Sequence, residues 1–290
     1  MSDLLDPAFA RELEALRRRL FVRARSGAGG DRIASRRGSS AEFLEHRPYA
    51  PGDDLRRMDW LAFGRTGEPV LKLFRAEEDV VVRLVLDASA SLAFGEPSKL
   101  SVAKRLAAAV GYMALASSER AQVAVASEGL VRVREPLRGR GGLTRLLREL
   151  EDVGVQAGTD LARAVEGLVR RAPRPGMLVV ISDFLDAGPV AGALDRAAAG
   201  GHELALVQVL SPEELSPPWE GDLALEDAET GEVVDVTLDD RALEAYQRRL
   251  HGLLADLRAT ARRLRATYLL APTTAPLLDT VRRLTLRAVD

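Results

Sequence analysis

Three near-continuous apolar runs constrain this chain more than anything else in it: VVVRLVLD (Val80–Asp87), MLVVIS (Met177–Ser182) and LALVQVL (Leu204–Leu210). Each is short, rich in β-branched residues and bounded by polar segments. A strand that is apolar on both faces needs cover on both faces. Helix-period patterns lie between the runs, at Lys99–Ser117, Gly142–Leu150, Leu161–Arg171 and Val190–Ala199. Strands that alternate with helices predict an α/β fold, a doubly wound and mostly parallel sheet with helices on both sides. Gln122–Ala126 and Leu130–Arg134 flank Ser127, Glu128 and Gly129, a hairpin signal that places one antiparallel strand at an edge.

The flanking regions read differently. Asp6 is a good N-cap and Pro7 suits a first helical position. Phe9, Leu13, Leu16 and Leu20 then recur at helical spacing. Residues 26–40 are rich in Gly and Ser and read as loop, and the stretch from Glu42 to Arg75, with Pro48, Pro51 and Pro69, reads as irregular with short strands. After Leu210, three prolines interrupt the rhythm, and LALEDAETGEVVDV suggests two short strands around Glu229, Thr230 and Gly231. A long helix from Asp240 to Arg265, a strand TYLLAP and a last helix opened by Pro276 complete the chain. The expected division is residues 1–79, an N-terminal helix and a segment packing on the main domain, and residues 80–290, an α/β domain with a hairpin insertion near 211–238.

Composition removes several function classes. With 47% hydrophobic residues the chain can build a core, so it is not a disordered protein. It has no cysteine, which excludes a disulfide scaffold, a thiolate metal site and a cysteine nucleophile. Its 41 basic and 43 acidic residues leave a net charge of −2, unsuited to coating a polyanion. The one basic cluster, Arg17–Arg37, lacks interleaved aromatics and reads as a helix end and a solvated loop, so nucleic acid is not an expected partner. Lysine is scarce, at Lys72, Lys99 and Lys104, which reads as coding bias toward arginine. The longest apolar stretch, Leu106–Ala116, lies inside an amphipathic helix pattern and falls short of the ~20 residues of a membrane span. The N-terminus has acids before arginines, the reverse of a secretory signal, so a cytoplasmic location is expected.

Chemistry is sought at the carboxyl ends of the strands, where open α/β sheets bind ligands. The first buried strand ends in Asp87, Ser89 and Ser91. The Met177 strand ends in Asp183, and Thr159 precedes a helix between them. Such oxygens suit a hard divalent cation, Mg2+ or Mn2+, with Ser89, Ser91 and Thr159 as direct neutral ligands and Asp87 and Asp183 acting through water. Charge left on the metal would recruit a carboxylate from a protein partner. The same residue types also form turns and caps, and Thr159 or Asp160 suits the cap of the helix at Leu161. His46, His202 and His251 have no metal-ligand spacing, and no nucleophile elbow or P-loop is present. A binding protein is therefore expected rather than an enzyme. The alternative is a divalent-metal-dependent hydrolase of phosphoesters or nucleic acid using Asp87, Asp160 and Asp183.

The order Asp-x-Ser-x-Ser, Thr, Asp resembles the metal-ion-dependent adhesion site of von Willebrand factor A-type domains, with Asp87, Ser89, Ser91, Thr159 and Asp183 filling the five ligand positions. The segment RRGSSAEFLEHRPYAPGDDLRRMDWLAFGRTGEPVLKLFRAE (Arg36–Glu77) resembles the signature of the bacterial domain-of-unknown-function 58 family. These resemblances imply a von Willebrand factor A-like domain with a metal site. They also imply a protein-binding role, as adaptor or substrate-recognition module, beside a MoxR-type AAA+ ATPase. Within that segment Arg47, Asp53, Asp54, Arg56, Arg57 and Asp59 alternate in sign, with Tyr49, Trp60 and Phe63 interleaved. They read either as an ion-paired, aromatic-anchored pack or as a partner surface rich in Arg and aromatics.

Overall fold

A computed structural model describes residues 4–26, 42–51, 53–75, 80–127, 130–156, 160–172, 174–185 and 188–287. The chain divides into two units, residues 1–21 with 80–290, and residues 22–79.

In the smaller unit, β1 (Glu42–Pro48) pairs antiparallel with β2 (Val70–Arg75), and the register shifts between Phe43 and Glu45. A 3-10 turn, Leu55–Arg57, and a short helix α2 (Trp60–Thr66) lie between them. Aspartates start both. Asp54 accepts from the Arg56 N–H, and Asp59 accepts from the N–H groups of Leu61 and Ala62. Gly67, at φ +73°, ends α2 in the left-handed conformation that glycine tolerates best.

The larger unit begins with α1 (Pro7–Ser26), whose first N–H groups are capped by Asp6. After it come β3 (Val81–Asp87), α3 (Lys99–Ala116), β4 (Arg120–Ser127), β5 (Leu130–Val133), α4 (Gly139–Glu151) and α5 (Leu161–Arg171). Then follow β6 (Met177–Ser182), α6 (Gly188–Ala199), β7 (Glu203–Leu210) and one helical turn α7 (Pro212–Leu215). The chain finishes with β8 (Gly221–Glu226), β9 (Val233–Leu238), α8 (Asp240–Arg263), β10 (Thr267–Pro272) and α9 (Leu277–Arg287). Six strands form one sheet in the order β10-β7-β6-β3-β4-β5. All neighbours are parallel except β5, which runs antiparallel to β4 at the edge.

Alternate residues of the central strands enter two different cores, as the period of two requires. Val82, Leu84 and Leu86 face one side with Val179, Ile181, Val207 and Val209. Val85 faces the other with Leu178, Val180, Leu204 and Leu206. The first core is closed by α1, α3, α4 and α9, the second by α5, α6 and α8. Continuous apolar strands are explained by this double cover.

One expectation changes. Helix α3 is not amphipathic in the fold. From Leu106 to Leu115 only Tyr112 escapes burial, because α1, α4 and α9 surround it. As far as Phe21, helix α1 falls in the larger unit. Phe9, Leu13 and Leu16 are buried in the first core, Tyr112 Oη donates to Glu14, and Arg17 donates to the Ala116 carbonyl. Among the described residues no helix is long and apolar enough to cross a membrane.

The strand order sets the place of the site. The connection leaving β3 leads to β4 on one side, and the connection leaving β6 leads to β7 on the other. Neighbouring strands whose exits diverge leave a crevice at their carboxyl ends. Leu86 pairs with Ile181, so Asp87 and Ser182 stand side by side at that crevice.

Candidate functional site

Asp87 is nearly buried, at 4% exposure, and its carboxylate is held from two directions. The Ser182 hydroxyl donates to one oxygen at 2.6 Å and the Ser89 N–H donates to the other at 3.0 Å. The loop after Asp87 then turns into a short 3-10 helix, Ala90–Ala93. This turn brings the Ser89 and Ser91 hydroxyls within 3.0 Å of each other. Ser91 in turn donates to Asp183 Oδ2 at 2.9 Å. Thus Asp87, Ser89, Ser91 and Asp183, which the sequence placed together, are brought together; Thr159 lies outside the described residues. Asp160 caps α5, accepting from the Arg163 N–H at 2.9 Å.

Asp183 is aimed by a strained turn. Phe184 has φ +51°, uncommon for a non-glycine residue and costly by about 1–3 kcal/mol. Its ring is 1% exposed and its N–H donates to the Ser182 hydroxyl. The Asp183 carbonyl accepts from Gln208 Nε2 at 2.8 Å.

Residues that the sequence reading did not single out complete the site. Lys99, at the start of α3 and fully buried, donates to Asp183 Oδ2 at 2.8 Å and also to Glu214. Glu214 is fixed by a capping box with Ser211, whose N–H it accepts and whose hydroxyl accepts the Glu214 N–H. One signal for Lys99 was present. In a chain with so few lysines, one in an apolar helix serves as a compact point charge where a planar guanidinium would not fit. Ser182 is marked only as the end of the MLVVIS run, and Glu214 only by its capping-box spacing from Ser211.

The donor set fits a magnesium-type ion. Adjacent ligands of an octahedron with ~2.1 Å bonds stand about 3.0 Å apart. The Ser89 and Ser91 hydroxyls show that spacing, at 3.0 Å. Asp87, Asp183 and Glu214 bring three carboxylates to the site, and the Lys99 ammonium pairs with the latter two. Among the described residues no group of three or more His, Cys, Asp or Glu side chains is arranged to hold a metal. Ser91 is the half-buried member at that mouth. Phe94, Leu185 and Trp219 are exposed apolar residues on the adjoining loops, and Phe94 meets Trp219 edge to face at 6.4 Å.

In the smaller unit the alternating charges are used locally. Arg47 pairs with Asp53 at 2.6 Å, Asp54 and Asp59 cap helical turns, and His46 Nε2 lies 2.9 Å from Asp59 Oδ2. Arg56 is exposed, and the Arg57 side chain lies outside the described residues. Trp60 is 61% exposed and Phe63, its edge-to-face neighbour, 39%.

The family model described as "Protein of unknown function DUF58" matches residues 45–252. Uncharacterized protein Rv1480 of Mycobacterium tuberculosis is 34% identical over 269 residues, covering 90% of this chain and 83% of its own length. An uncharacterized protein of Mycobacterium avium is 38% identical over 111 residues, covering 38% of this chain and 63% of its own. Among solved structures, the conserved hypothetical protein BatB from Bacteroides thetaiotaomicron aligns at 18% identity and TM-score 0.47, over 73% of this chain and 100% of that one. The SpRpn10 VWA domain aligns at 10% identity and TM-score 0.43, over 70% of this chain and 94% of that one.

Proposed function

Since this chain belongs to the family described as Protein of unknown function DUF58, whose description assigns no activity, we propose its function from the strand-end site: it is a protein-binding module that captures an acidic residue of its partner through a divalent cation. The observation that carries this reading is the pair of hydroxyls, Ser89 and Ser91, set 3.0 Å apart above two carboxylates that are already bonded to other groups. Ser89 and Ser91 would hold Mg2+ or Mn2+ directly, with Thr159 as the third hydroxyl the sequence supplies. Asp87 and Asp183 would orient the ion's waters. A cation held by neutral ligands keeps its charge available to an incoming carboxylate, and that is the chemistry the ion contributes.

The chain's own residues define the rest. Ser182 and Lys99 keep the two aspartates from turning into the mouth. Phe94, Leu185 and Trp219 supply apolar surface beside it, which suits an acidic side chain flanked by apolar neighbours. The hydrolase alternative needs carboxylates as direct metal ligands, and here Asp87 is held by Ser182 and the Ser89 N–H, Asp183 by Lys99, and Asp160 caps α5. A MoxR-type AAA+ ATPase is the partner that the family resemblance implies.

The test is capture on the immobilised full chain in Mg2+, followed by elution with chelator. A partner retained in Mg2+, released by chelator and absent from an Asp87→Asn column supports the reading. Retention indifferent to chelator overturns it and shifts attention to Trp60 and its neighbours.

A further inference from the structure

The strands β8 and β9 form a hairpin inserted between β7 and α8, and its tip is built to hold one side chain out. The Asp227 carboxylate accepts from the N–H groups of Glu229 and Thr230, both at 2.8 Å. The Asp227 carbonyl accepts from Gly231 N–H at 2.7 Å, and Asp227 N–H donates to the Glu232 carbonyl at 2.8 Å. Gly231 supplies the positive φ, +71°, that closes so tight a turn. Across the hairpin Thr237 Oγ1 donates to Asp222 at 2.7 Å. Glu229 stands at the apex of this braced turn. Its Oε1 lies 3.5 Å from the Ser91 N–H, 138 residues away in sequence, and so at the mouth of the strand-end site. The Phe94–Trp219 contact ties the entry of the hairpin to the same loop.

This placement is electrostatically odd without a cation. The site already holds the carboxylates of Asp87 and Asp183, and a further carboxylate drawn to it is repelled. A single backbone N–H at 3.5 Å offsets little of that repulsion. A divalent ion between the hydroxyls and Glu229 reverses the sign of the interaction. We propose that Glu229, carried by the β8–β9 hairpin to Ser91, is this chain's own anionic ligand for the strand-end cation, and that a partner carboxylate binds by displacing it. The inference rests on the metal-site reading above and adds its regulation: in the absence of a partner the hairpin occupies the coordination position the partner needs. A tethered carboxylate sets a threshold, because only a partner with additional contacts, such as those offered by Phe94 and Leu185, competes with an intramolecular ligand at high effective concentration.

The test uses the full chain with Mn2+ as the probe, titrated by calorimetry, and water-proton relaxation to count exchangeable waters on the bound ion. Glu229→Gln should weaken Mn2+ binding about tenfold or more and increase the number of exchangeable waters. Acetate, added as a free carboxylate, should alter the relaxation at lower concentration in Glu229→Gln than in the unaltered chain. Asp87→Asn should remove binding altogether. Equal Mn2+ affinity and equal water number in the unaltered chain and Glu229→Gln, with Asp87→Asn inactive, would overturn the role of Glu229 and leave the metal site standing. No Mn2+ binding by the unaltered chain would overturn both.

Discussion

Lys99 Nζ lies 2.8 Å from Asp183 Oδ2, and neither side chain has meaningful access to water, at 0% and 5% exposure. The same ammonium also meets Glu214, so one buried lysine joins the end of β6 to the turn after β7. The pair holds Asp183 in the orientation in which it receives the Ser91 hydroxyl.

Removing that lysine should be costly. Lys99→Met leaves two carboxylates without their buried cation, a loss of about 3–5 kcal/mol in unfolding free energy. Combining it with Glu214→Gln should recover part of the loss, because the removed charge then has one fewer abandoned partner. Denaturant unfolding of both single variants and the double variant measures the coupling; strictly additive costs would show that the contact carries no energy.

Asp87 braces the ends of two strands. Asp87→Ala strands two donors, the Ser182 hydroxyl and the Ser89 N–H, and should cost about 1–3 kcal/mol. Asp87→Asn retains an acceptor oxygen and should melt closer to the unaltered chain. Both should lose divalent-ion binding. If the alanine variant melts like the unaltered chain in chelator, the carboxylate does not brace the two strand ends.

His202 predicts a pH dependence. Burial, followed by the nearby Arg83 charge, lowers its pKa below the ordinary 6.5. The unfolded chain therefore takes up this proton first as pH falls. The stability contributed by neutral His202 is complete above about pH 6.5 and is lost below it, until the folded chain is protonated too. Comparing unfolding at pH 7.5 and pH 5.5, His202→Gln should lose less stability than the unaltered chain. Equal losses would mean that His202 is not buried neutral.

Two glycines should respond in opposite directions. A Cβ on Gly176 would sit 2.5 Å from the Val81 carbonyl oxygen, and backbone cannot yield cheaply, so Gly176→Ala should destabilise by about 1–3 kcal/mol. Gly192, inside α6, has only the tip of Arg196 nearby, at 3.7 Å. Gly192→Ala should stabilise by about 0.5–1 kcal/mol through helix propensity. Thermal melts of the two variants check both signs.

Local pattern carried most of the architecture. The strands Val81–Asp87, Met177–Ser182 and Glu203–Leu210, the antiparallel edge strand and the hairpin around Glu229 all follow from apolar period, length and turn residues, which act over a few neighbours. The loop motif Asp87-Ala88-Ser89-Ala90-Ser91 was legible for the same reason, since its hydroxyls are placed by a turn five residues long.

What the sequence could not determine is what lies across the crevice. Lys99 reaches Asp183 over 84 residues and Glu214 over 115, while Glu229 reaches Ser91 over 138. No periodicity encodes such meetings. They depend on the order β6-β3-β4, which turns the exits of two strands apart, and on the burial of Lys99 in the first turn of α3, where its ammonium meets Asp183 and Glu214. A buried charge takes whichever partner the packing provides, because leaving it alone costs more than any local preference can offset.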